Sequence, residues 1–265
     1  MISLIELLKE AVSKPKAIIL AGAPGAGKGY ILRGLDLAGL KVLNVDDIYV
    51  PLLQKANVTL DLKNATPEER SEQAKQMAAA NKQFKGDVEA TIEGKESFIL
   101  DGTGASYNST AKLKNELEEA GYKVFMLYVY TDLQRSLSQN QDRYEKSEGK
   151  DRSLAPAIVM RTWKSVTDNL PKYAELFGNN FVAVANTLDD KMQDIDKIIK
   201  KYLTPFDPKG TKPKTQKEQA KSDARKAKDK EEIQAMLSDD FIYDVIEYTI
   251  SKEEAQMRIG KFLNS

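Results

Sequence analysis

A glycine-rich loop containing one lysine directly follows the first apolar stretch of the chain. Glycine lets the backbone curve so that its N–H groups surround phosphate oxygens, and the lysine adds a mobile positive charge. The spacing G-x-x-x-x-G-K between a strand and a helix is typical of nucleotide-binding loops, with an ordinary glycine-rich turn as the alternative. We therefore predict that this loop and the residue after it bind the phosphates of a nucleotide: Gly22, Ala23, Pro24, Gly25, Ala26, Gly27, Lys28, Gly29 and Tyr30.

The residue after the lysine differs from the usual pattern of such loops. A serine or threonine normally stands there and helps to bind Mg²⁺, whereas this chain has Gly29. Asp101 ends a later apolar stretch, and its carboxylate can orient Mg²⁺ directly or through water. We assign the metal to Asp101 and keep the hydroxyl of Thr103 as a second candidate.

Two adjacent carboxylates, Asp46 and Asp47, follow the second apolar stretch. A carboxylate at this place can accept the proton of a hydroxyl group that attacks a phosphorus atom. The sequence leaves open which of the two acts as the general base, because adjacent side chains point in different directions. Aspartate is also common at the start of helices, so the pair could simply cap one. The prediction of an enzyme requires that they do not lie on the far side of the sheet from Lys28.

Four arginines follow the fourth apolar stretch, and charge that develops on a transferred phosphoryl group requires such cations. Arg135 and Arg143 lie eight residues apart on one predicted helix and therefore share roughly one face. Arg152 follows a charged connection, and Arg161 lies on the next predicted helix. A helix–loop–helix with these arginines can close over a triphosphate as a lid, with solvated surface arginines as the alternative. We predict catalytic roles for Arg135 and Arg143 and nucleotide binding by Arg152.

The composition excludes several other kinds of site. The 265-residue chain has no cysteine and no histidine, which excludes disulfides, thiolate nucleophiles, Cys/His zinc sites and Ser-His-Asp triads. Its formal net charge is zero, so no field of the whole chain favours nucleic acid. No apolar run reaches the roughly 18 residues of a membrane span, and residues 1–10 predict an amphipathic helix rather than a signal peptide. We expect a cytoplasmic protein.

Short apolar stretches alternate with helical patterns over most of the chain. We predict strands at 17–21, 41–45, 96–102, 123–130 and 181–185, and helices at 28–38, 109–120, 133–144, 156–163 and 188–202. Residues 50–95 also have a helical pattern, and within it residues 66–69 combine an N-cap threonine, a proline at the first helical position and a capping-box glutamate. Helices rather than hairpin turns connect the strands, so the strands must pair in parallel. The predicted fold is α/β, with a doubly wound parallel five-stranded sheet and a C-terminal helical appendage. In such sheets the site lies at the carboxyl ends of the strands, where the loop, Asp46 and Asp101 all fall.

Four motifs in a fixed order carry a resemblance to a known family. They are the loop at 22–28, the turn at 44–49, residues 99–103, and residues 140–143 followed by Pro156. Over about residues 16–203 the chain resembles the P-loop kinases of the zeta-toxin and polynucleotide 5′-hydroxyl kinase group, many of which bacteriophages encode. The resemblance implies transfer of a phosphoryl group to a hydroxyl group, dependent on ATP and Mg²⁺. It also implies that Asp46 is the general base and that Arg143 stabilises the transition state.

Three positions depart from the pattern of that group. Tyr49 stands where an arginine often grips the acceptor, Gln139 stands where the first lid arginine is expected, and Gly29 replaces the hydroxyl residue. The acceptor therefore stays open between a nucleotide, a nucleic acid and a nucleotide sugar. A second hypothesis is a non-catalytic nucleotide-binding protein that docks a partner through its C-terminal helices, because the hydroxyl that binds Mg²⁺ is missing.

The composition changes after residue 203 and divides the chain into three predicted parts. These are a kinase domain at 1–203 with a helical lid at about 132–170, a charged linker or helix at 204–232, and a helical segment at 233–265. The middle part carries nine basic and six acidic residues. Its basic arm at 209–230 could bind nucleic acid, but it has no aromatic residues for stacking on bases, so a solvated linker is the alternative. The last part has helix-start patterns at 238–240 and 251–254 and could dock on the kinase domain or on a partner.

Overall fold

Six parallel strands form one sheet in the computed structural model of the chain, in the spatial order β2-β3-β1-β4-β5-β6. The strands are β1 Lys16–Ala21, β2 Lys41–Asn44, β3 Phe98–Asp101, β4 Lys123–Tyr130, β5 Phe181–Ala185 and β6 Thr249–Ile250. The structure describes residues 14–35, 37, 40–62, 65–148, 151–186 and 245–265, together with ten positions between 215 and 235.

Helices alternate with the strands along the chain and connect them. Within the described residues the α-helices are α1 Lys28–Gly34, α2 Asp46–Lys55, α3 Pro67–Glu93, α4 Tyr107–Glu119, α5 Leu133–Lys146, α6 Pro156–Asp168, α7 Leu170–Phe177 and α8 Lys252–Leu263. A single 3₁₀ turn at Gly178–Asn180 precedes β5. None of the described helices combines the length and the apolar composition that crossing a bilayer would require.

The order of the strands reverses around β1. The chain leaves β1 for β2 at the sheet edge, returns to β3 beside β1, and then crosses to β4 on the other side of β1. This topology confirms the predicted doubly wound α/β fold, and β6 adds a sixth strand of two residues to the five predicted. Leu20 of β1 and Asn44 of β2 are both in register with Asp101 of β3. The ends of three strands therefore meet at one crevice, where ligands of such sheets bind.

The two central strands are buried on both faces, as parallel sheets covered by helices require. All of β1 is buried, and so is β4 from Val124 onward. Two polar groups of this core have backbone partners: the Trp163 indole N–H donates to the Thr131 carbonyl at 2.8 Å, and the Tyr128 hydroxyl donates to the Val166 carbonyl at 3.1 Å. The loop after β1 therefore starts from a fixed platform.

The helical pattern predicted at 50–95 corresponds to two helices, the first of which already begins at Asp46. Asp46 and Asp47 form the first turn of α2, where their negative charge favours the helix start. The start of α3 is as predicted: Thr66 and Glu69 form a reciprocal capping box. Between the two helices lies a small apolar core of their own, formed by Tyr49, Leu53, Leu60 and Ala80.

Other helix boundaries also differ from the prediction. Helix α1 ends at Gly34 rather than at residue 38, because Leu35 adopts an extended conformation. Helix α6 continues to Asp168 instead of ending at residue 163, and α7 follows it directly. The helix predicted at 188–202 lies outside the described residues.

The C-terminal residues 245–265 pack against the sheet. Strand β6 pairs with β5, and α8 buries Ala255, Ile259 and Phe262. The Phe262 ring lies 4.9 Å from the ring of Phe125 in β4, measured between ring centres. Ser251 caps α8 as its sequence indicates, since its hydroxyl accepts from the Glu254 N–H. The predicted helix start at 238–240 lies outside the described residues, and the predicted domain boundaries stay predictions.

Replacing Phe262 with alanine should lower the free energy of unfolding by about 3 kcal/mol, because the change removes a buried ring that packs on Phe125. Met257→Ala on the same helix is the matched control, since Met257 is 53% exposed and should change the free energy by less than about 0.5 kcal/mol. Urea titrations followed by circular dichroism measure both values. Equally small losses would contradict the packing of α8 on the sheet.

Candidate functional site

In the phosphate loop, residues 22–27, the backbone conformation and the neighbouring atoms leave no room for a side chain at two of the glycines. Gly25 and Gly27 have φ values of 76° and 78°, a region that favours glycine. A Cβ atom on Gly25 would collide with the backbone carbonyl of Ser136, and one on Gly27 would collide with the side-chain amide of Asn186. Residues of α5 and of the end of β5 therefore press directly on the outside of the loop.

Lys28 places its charge at the adjoining ends of β1 and β3. Its ammonium group donates to the Gly22 carbonyl at 3.2 Å and lies 3.9 Å from Asp101 Oδ1. Burial lowers the pKa of Lys28 and raises the pKa of Asp101, while the attraction between the two charges opposes both shifts. The pair is therefore a partly desolvated ion pair beside the loop.

Asn44 connects the ends of two strands with the start of a helix. Its amide nitrogen donates to Asp101 Oδ2 at 2.8 Å, and its amide oxygen accepts from the Asp46 N–H at 2.9 Å. One side chain at the end of β2 thus fixes both the carboxylate of β3 and the first turn of α2. The sequence analysis did not single out Asn44.

Asp46 faces the same crevice as Lys28, and the negative charge of its carboxylate opposes the lowering of the Lys28 pKa by burial. Arg152 Nη2 donates to Asp46 Oδ2 at 2.6 Å, and both side chains are less than one fifth exposed. The second oxygen, Asp46 Oδ1, is buried and has no hydrogen-bond partner among the described residues. Asp47 is exposed. The structure therefore distinguishes the two carboxylates that the sequence left equivalent.

Arg143 and Arg152 share one carboxylate, that of Asp151. Arg143 forms an ion pair with Asp151 Oδ2, and Asp151 Oδ1 accepts from the backbone N–H of Arg152 at 2.8 Å. Arg143 is half-exposed, yet its positive charge contributes a lowering to the pKa of both Lys28 and Asp101. The crevice therefore contains two of the predicted lid arginines, each already paired with an acid.

Arg135 approaches the loop through Gln139. In the amide orientation that satisfies both contacts, the Gln139 nitrogen donates to the Gly25 carbonyl at 2.6 Å and its oxygen accepts from Arg135 Nε at 2.6 Å. Arg161 is exposed and donates to the Ala157 carbonyl of its own helix. The structure thus brings Arg135 to the loop and leaves Arg161 on the surface of α6.

The residues that follow the glycine loop have different surroundings. Tyr30 is 58% exposed, and the Lys252 ammonium lies 4.5 Å from the centre of its ring, so its side chain contacts α8 and its backbone remains the candidate for phosphate binding. Gly29 is exposed and provides no hydroxyl. Thr103 is exposed, and its hydroxyl oxygen accepts from the Ala105 N–H at 3.3 Å.

The described residues contain no group of three acidic side chains that could hold a metal by themselves. Mg²⁺ at nucleotide sites usually takes one or two carboxylates together with phosphate oxygens and water. Asp101, buried beside Lys28, offers such a carboxylate. The residues present therefore fit a metal that arrives with a polyphosphate.

The sequence profile of the zeta toxin family matches residues 4–198. The chain belongs to the zeta toxin family. A comparison with curated proteins gave no match. In this member of the family, β6 and α8 lie beyond the matched residues.

Several solved structures are similar to this chain at low sequence identity. The complex AvrRxo1-ORF1:AvrRxo1-ORF2 with sulphate ions has a TM-score of 0.50 at 16% identity, covering 97% of this chain and 83% of that chain. The PezAT toxin–antitoxin system of Streptococcus pneumoniae gives 0.48 at 16%, covering 89% and 95%. A gluconokinase from Sinorhizobium meliloti gives 0.36 at 13%, covering 72% and 90%. At a TM-score of 0.50, the first of these structures shares the overall fold of this zeta toxin family member.

Several side chains that build the site escaped the sequence analysis as participants. They are the polar residues Asn44, Ser136, Asp151 and Asn186. Asn44 and Asn186 each stand at the end of a strand next to the crevice, so their position relative to the strands is a signal that could have identified them. Ser136 carries no such signal, because its role arises from a contact with Pro24, which lies 112 positions away. Asp151 binds nearby residues, Arg143 and Arg152, and its place in a charged connection did not distinguish it from the other acids there.

Gly25→Ala should destabilise the protein more than Gly121→Ala does. Both glycines have positive φ values, 76° and 91°, so both changes carry a backbone strain of about 1 kcal/mol. An added Cβ on Gly25 also meets the Ser136 backbone, whereas nothing lies within 4 Å of one on Gly121. The difference in unfolding free energy, measured by urea titration, isolates the collision. Equal losses would contradict the close packing of α5 on the loop.

Proposed function

We propose that this protein is an ATP-dependent phosphotransferase that moves the γ-phosphate to a hydroxyl group of a nucleotide, a nucleic acid or a nucleotide sugar. The main support is Asp46, which holds one carboxylate oxygen on Arg152 while the other is buried and unpartnered among the described residues. A buried acceptor without a donor costs free energy, and a hydroxyl group of an acceptor substrate would satisfy it. Membership of the zeta toxin family supports the same reaction class. A polynucleotide 5′-hydroxyl, the acceptor of the bacteriophage-type kinases, is one member of this acceptor class.

The charges of the site suit a polyphosphate. The loop at 22–29 and the Tyr30 backbone would surround the phosphates, with Lys28 at their side. Arg143 and Arg152 face the same crevice, and Arg135 lies against the loop. These cations would oppose the negative charge that develops on the transferred group.

The proposed reaction forms one P–O bond and breaks another. The acceptor oxygen attacks the γ-phosphorus, the bond from this phosphorus to the oxygen that bridges to the β-phosphate breaks, and ADP leaves. The hydroxyl proton passes to Asp46 Oδ1, while Arg152 holds Oδ2 and so fixes the plane of the carboxylate. Asp46 is therefore assigned the role of general base.

Asp101 is the proposed ligand of Mg²⁺, together with phosphate oxygens of the nucleotide. When bound, the metal would neutralise phosphate charge. Asn44 would keep the Asp101 carboxylate oriented, since its amide donates to Oδ2 and leaves Oδ1 toward Lys28. This arrangement needs no hydroxyl at Gly29.

The binding partners of the protein are also proposed. Two structural neighbours are a toxin–antitoxin system, PezAT, and a pair of proteins, AvrRxo1-ORF1:AvrRxo1-ORF2, and a protein partner for this chain fits the hypothesis of a nucleotide-binding module. Nucleic acid binding by the basic arm at 209–230 falls mostly outside the described residues. The experiment below separates a kinase from a module that binds ATP without transfer.

Asp46→Asn should lower phosphoryl transfer by about 10²-fold to 10⁴-fold, because the amide cannot accept the hydroxyl proton. ATP affinity should stay near that of the parent protein, since Asp46 is assigned to the acceptor hydroxyl group and not to the phosphates in the loop. Mass spectrometry of acceptor mixtures incubated with labelled ATP identifies the acceptor and gives the transfer rate. Isothermal titration gives the affinity.

Asp47→Asn is the matched control, because Asp47 is adjacent and exposed and should leave transfer unchanged. Undiminished transfer by Asp46→Asn would remove Asp46 as the base. ATP binding by the parent protein without transfer to any acceptor class would favour the non-catalytic module.

Lys28→Arg should move the alkaline loss of ATP affinity to higher pH. Burial lowers the pKa of Lys28, so the parent protein loses this positive charge as the pH rises through the lowered value. An arginine stays charged throughout, even where its shape changes the absolute affinity. Titrations between about pH 7 and about pH 10 compare the two profiles. Superimposable alkaline limbs would show that Lys28 ionisation does not control binding.

A further inference from the structure

Three consecutive carbonyl groups of the phosphate loop accept hydrogen bonds from side chains outside it. Ser136 Oγ donates to Pro24 O at 2.5 Å, the Gln139 amide to Gly25 O at 2.6 Å, and Asn186 Nδ2 to Ala26 O at 2.9 Å. We call these donors the tether residues: Ser136, Gln139 and Asn186. Two of them lie on α5 and the third directly follows β5, so two separate elements hold the loop from outside.

The tethers determine where the amide groups of the loop point. In a planar trans peptide the carbonyl oxygen and the next N–H point in opposite directions. Carbonyls of Pro24 and Ala26 that are held outward therefore turn the N–H groups of Gly25 and Gly27 toward the inside of the loop. Among the described residues neither of these N–H groups has an acceptor. Inward N–H groups are what binds phosphate in such a loop.

The packing of the tether residues supports the same conclusion independently. The backbone of Ser136 fills the place where a Cβ of Gly25 would lie, and the amide of Asn186 fills that of Gly27. Ser136 is fully buried. The outer surface of the loop is therefore complementary to these residues in shape as well as in hydrogen bonding.

We propose that Ser136, Gln139 and Asn186 are positioning residues that hold the loop in its phosphate-binding conformation before a nucleotide arrives. This inference rests on the nucleotide site of the proposed function. When only a fraction of the molecules has a competent loop, the apparent dissociation constant equals the intrinsic constant divided by that fraction. Loss of a tether lowers the fraction, so it weakens binding and slows association. For loss of the Ser136 or the Asn186 tether, the dissociation rate and the turnover at saturating ATP stay unchanged.

The test uses ADP and inorganic triphosphate as probes of the full-length protein. Ser136→Ala and Asn186→Leu should each weaken the binding of both probes by about threefold to tenfold, the effect of one hydrogen bond. Isothermal titration measures the affinities, and stopped-flow mixing with a fluorescent ADP derivative measures the two rate constants. Gln139→Met keeps the side-chain volume and removes the donor, but it also releases Arg135, so it is the third variant.

Two residues of α5 provide matched controls. Ser138 donates to the Arg135 carbonyl within the helix, and Gln141 donates to Glu145 on the exposed side. Ser138→Ala and Gln141→Met should leave the binding of both probes unchanged. Weakened binding in the controls to the same degree would assign the effect to α5 in general and overturn the role of the tethers.

The outcomes separate this inference from the function on which it rests. Slower association with an unchanged dissociation rate supports it, and equal affinity or faster dissociation alone overturns it. If the parent protein binds neither probe, the nucleotide site fails and the positioning role fails with it. If the parent binds both and the variants bind equally well, the positioning role alone fails. Should Ser136→Ala not fold by circular dichroism, the half-buried Asn186 and Gln139 still decide the matter.

Discussion

The pairing of partly desolvated charges constrains the rest of this structure. A charge withdrawn from water costs several kcal/mol unless a partner compensates it. Lys28 faces Asp101, and Asp46 binds Arg152, so each buried charge of the crevice has an opposite neighbour. The lowered pKa of Lys28 and the raised pKa of Asp101 show that pairing offsets only part of the cost of burial. A polyphosphate bound there, as in the proposed function, would add negative charge beside Lys28.

The fold meets this constraint by bringing charges from distant segments to the ends of three adjacent strands. The parallel register aligns Leu20, Asn44 and Asp101, so the loop, the start of α2 and the buried acid lie side by side. Asn44 uses both ends of its amide to connect Asp101 with the start of α2. Asp151 uses both oxygens to bind the side chain of Arg143 and the backbone of Arg152. Because Asn44 and Asp151 each bind two partners, displacement of one partner alters the surroundings of the other. Arg143 and Arg152 are therefore each paired with an acid rather than surrounded by solvent alone.

The sequence predicted the fold well, because its signals are local. The apolar strands and the loop glycines have short-range patterns, and the α/β class, the central position of the loop and the strand β4 followed from them. The helical pattern over 50–95 did not show where its first helix begins, which is at Asp46, whose N–H donates to the side chain of Asn44 two residues before it. The sequence identified the residue types of the site but not which side chains pair with one another. The contact of Arg152 with Asp46 joins residues 106 positions apart, and no pattern in either segment encodes it.

The residues beyond the family match also bear on the site. Strand β6 covers the edge of β5, and edges left unpaired promote association with other chains. Lys252 at the start of α8 lies over the ring of Tyr30 in α1, the helix that begins with Lys28. The C-terminal segment therefore braces the helix that carries the loop lysine. Its apolar face, with Ile259 and Phe262, is used by the sheet, so a protein partner would have to bind the opposite face, where Met257 is exposed.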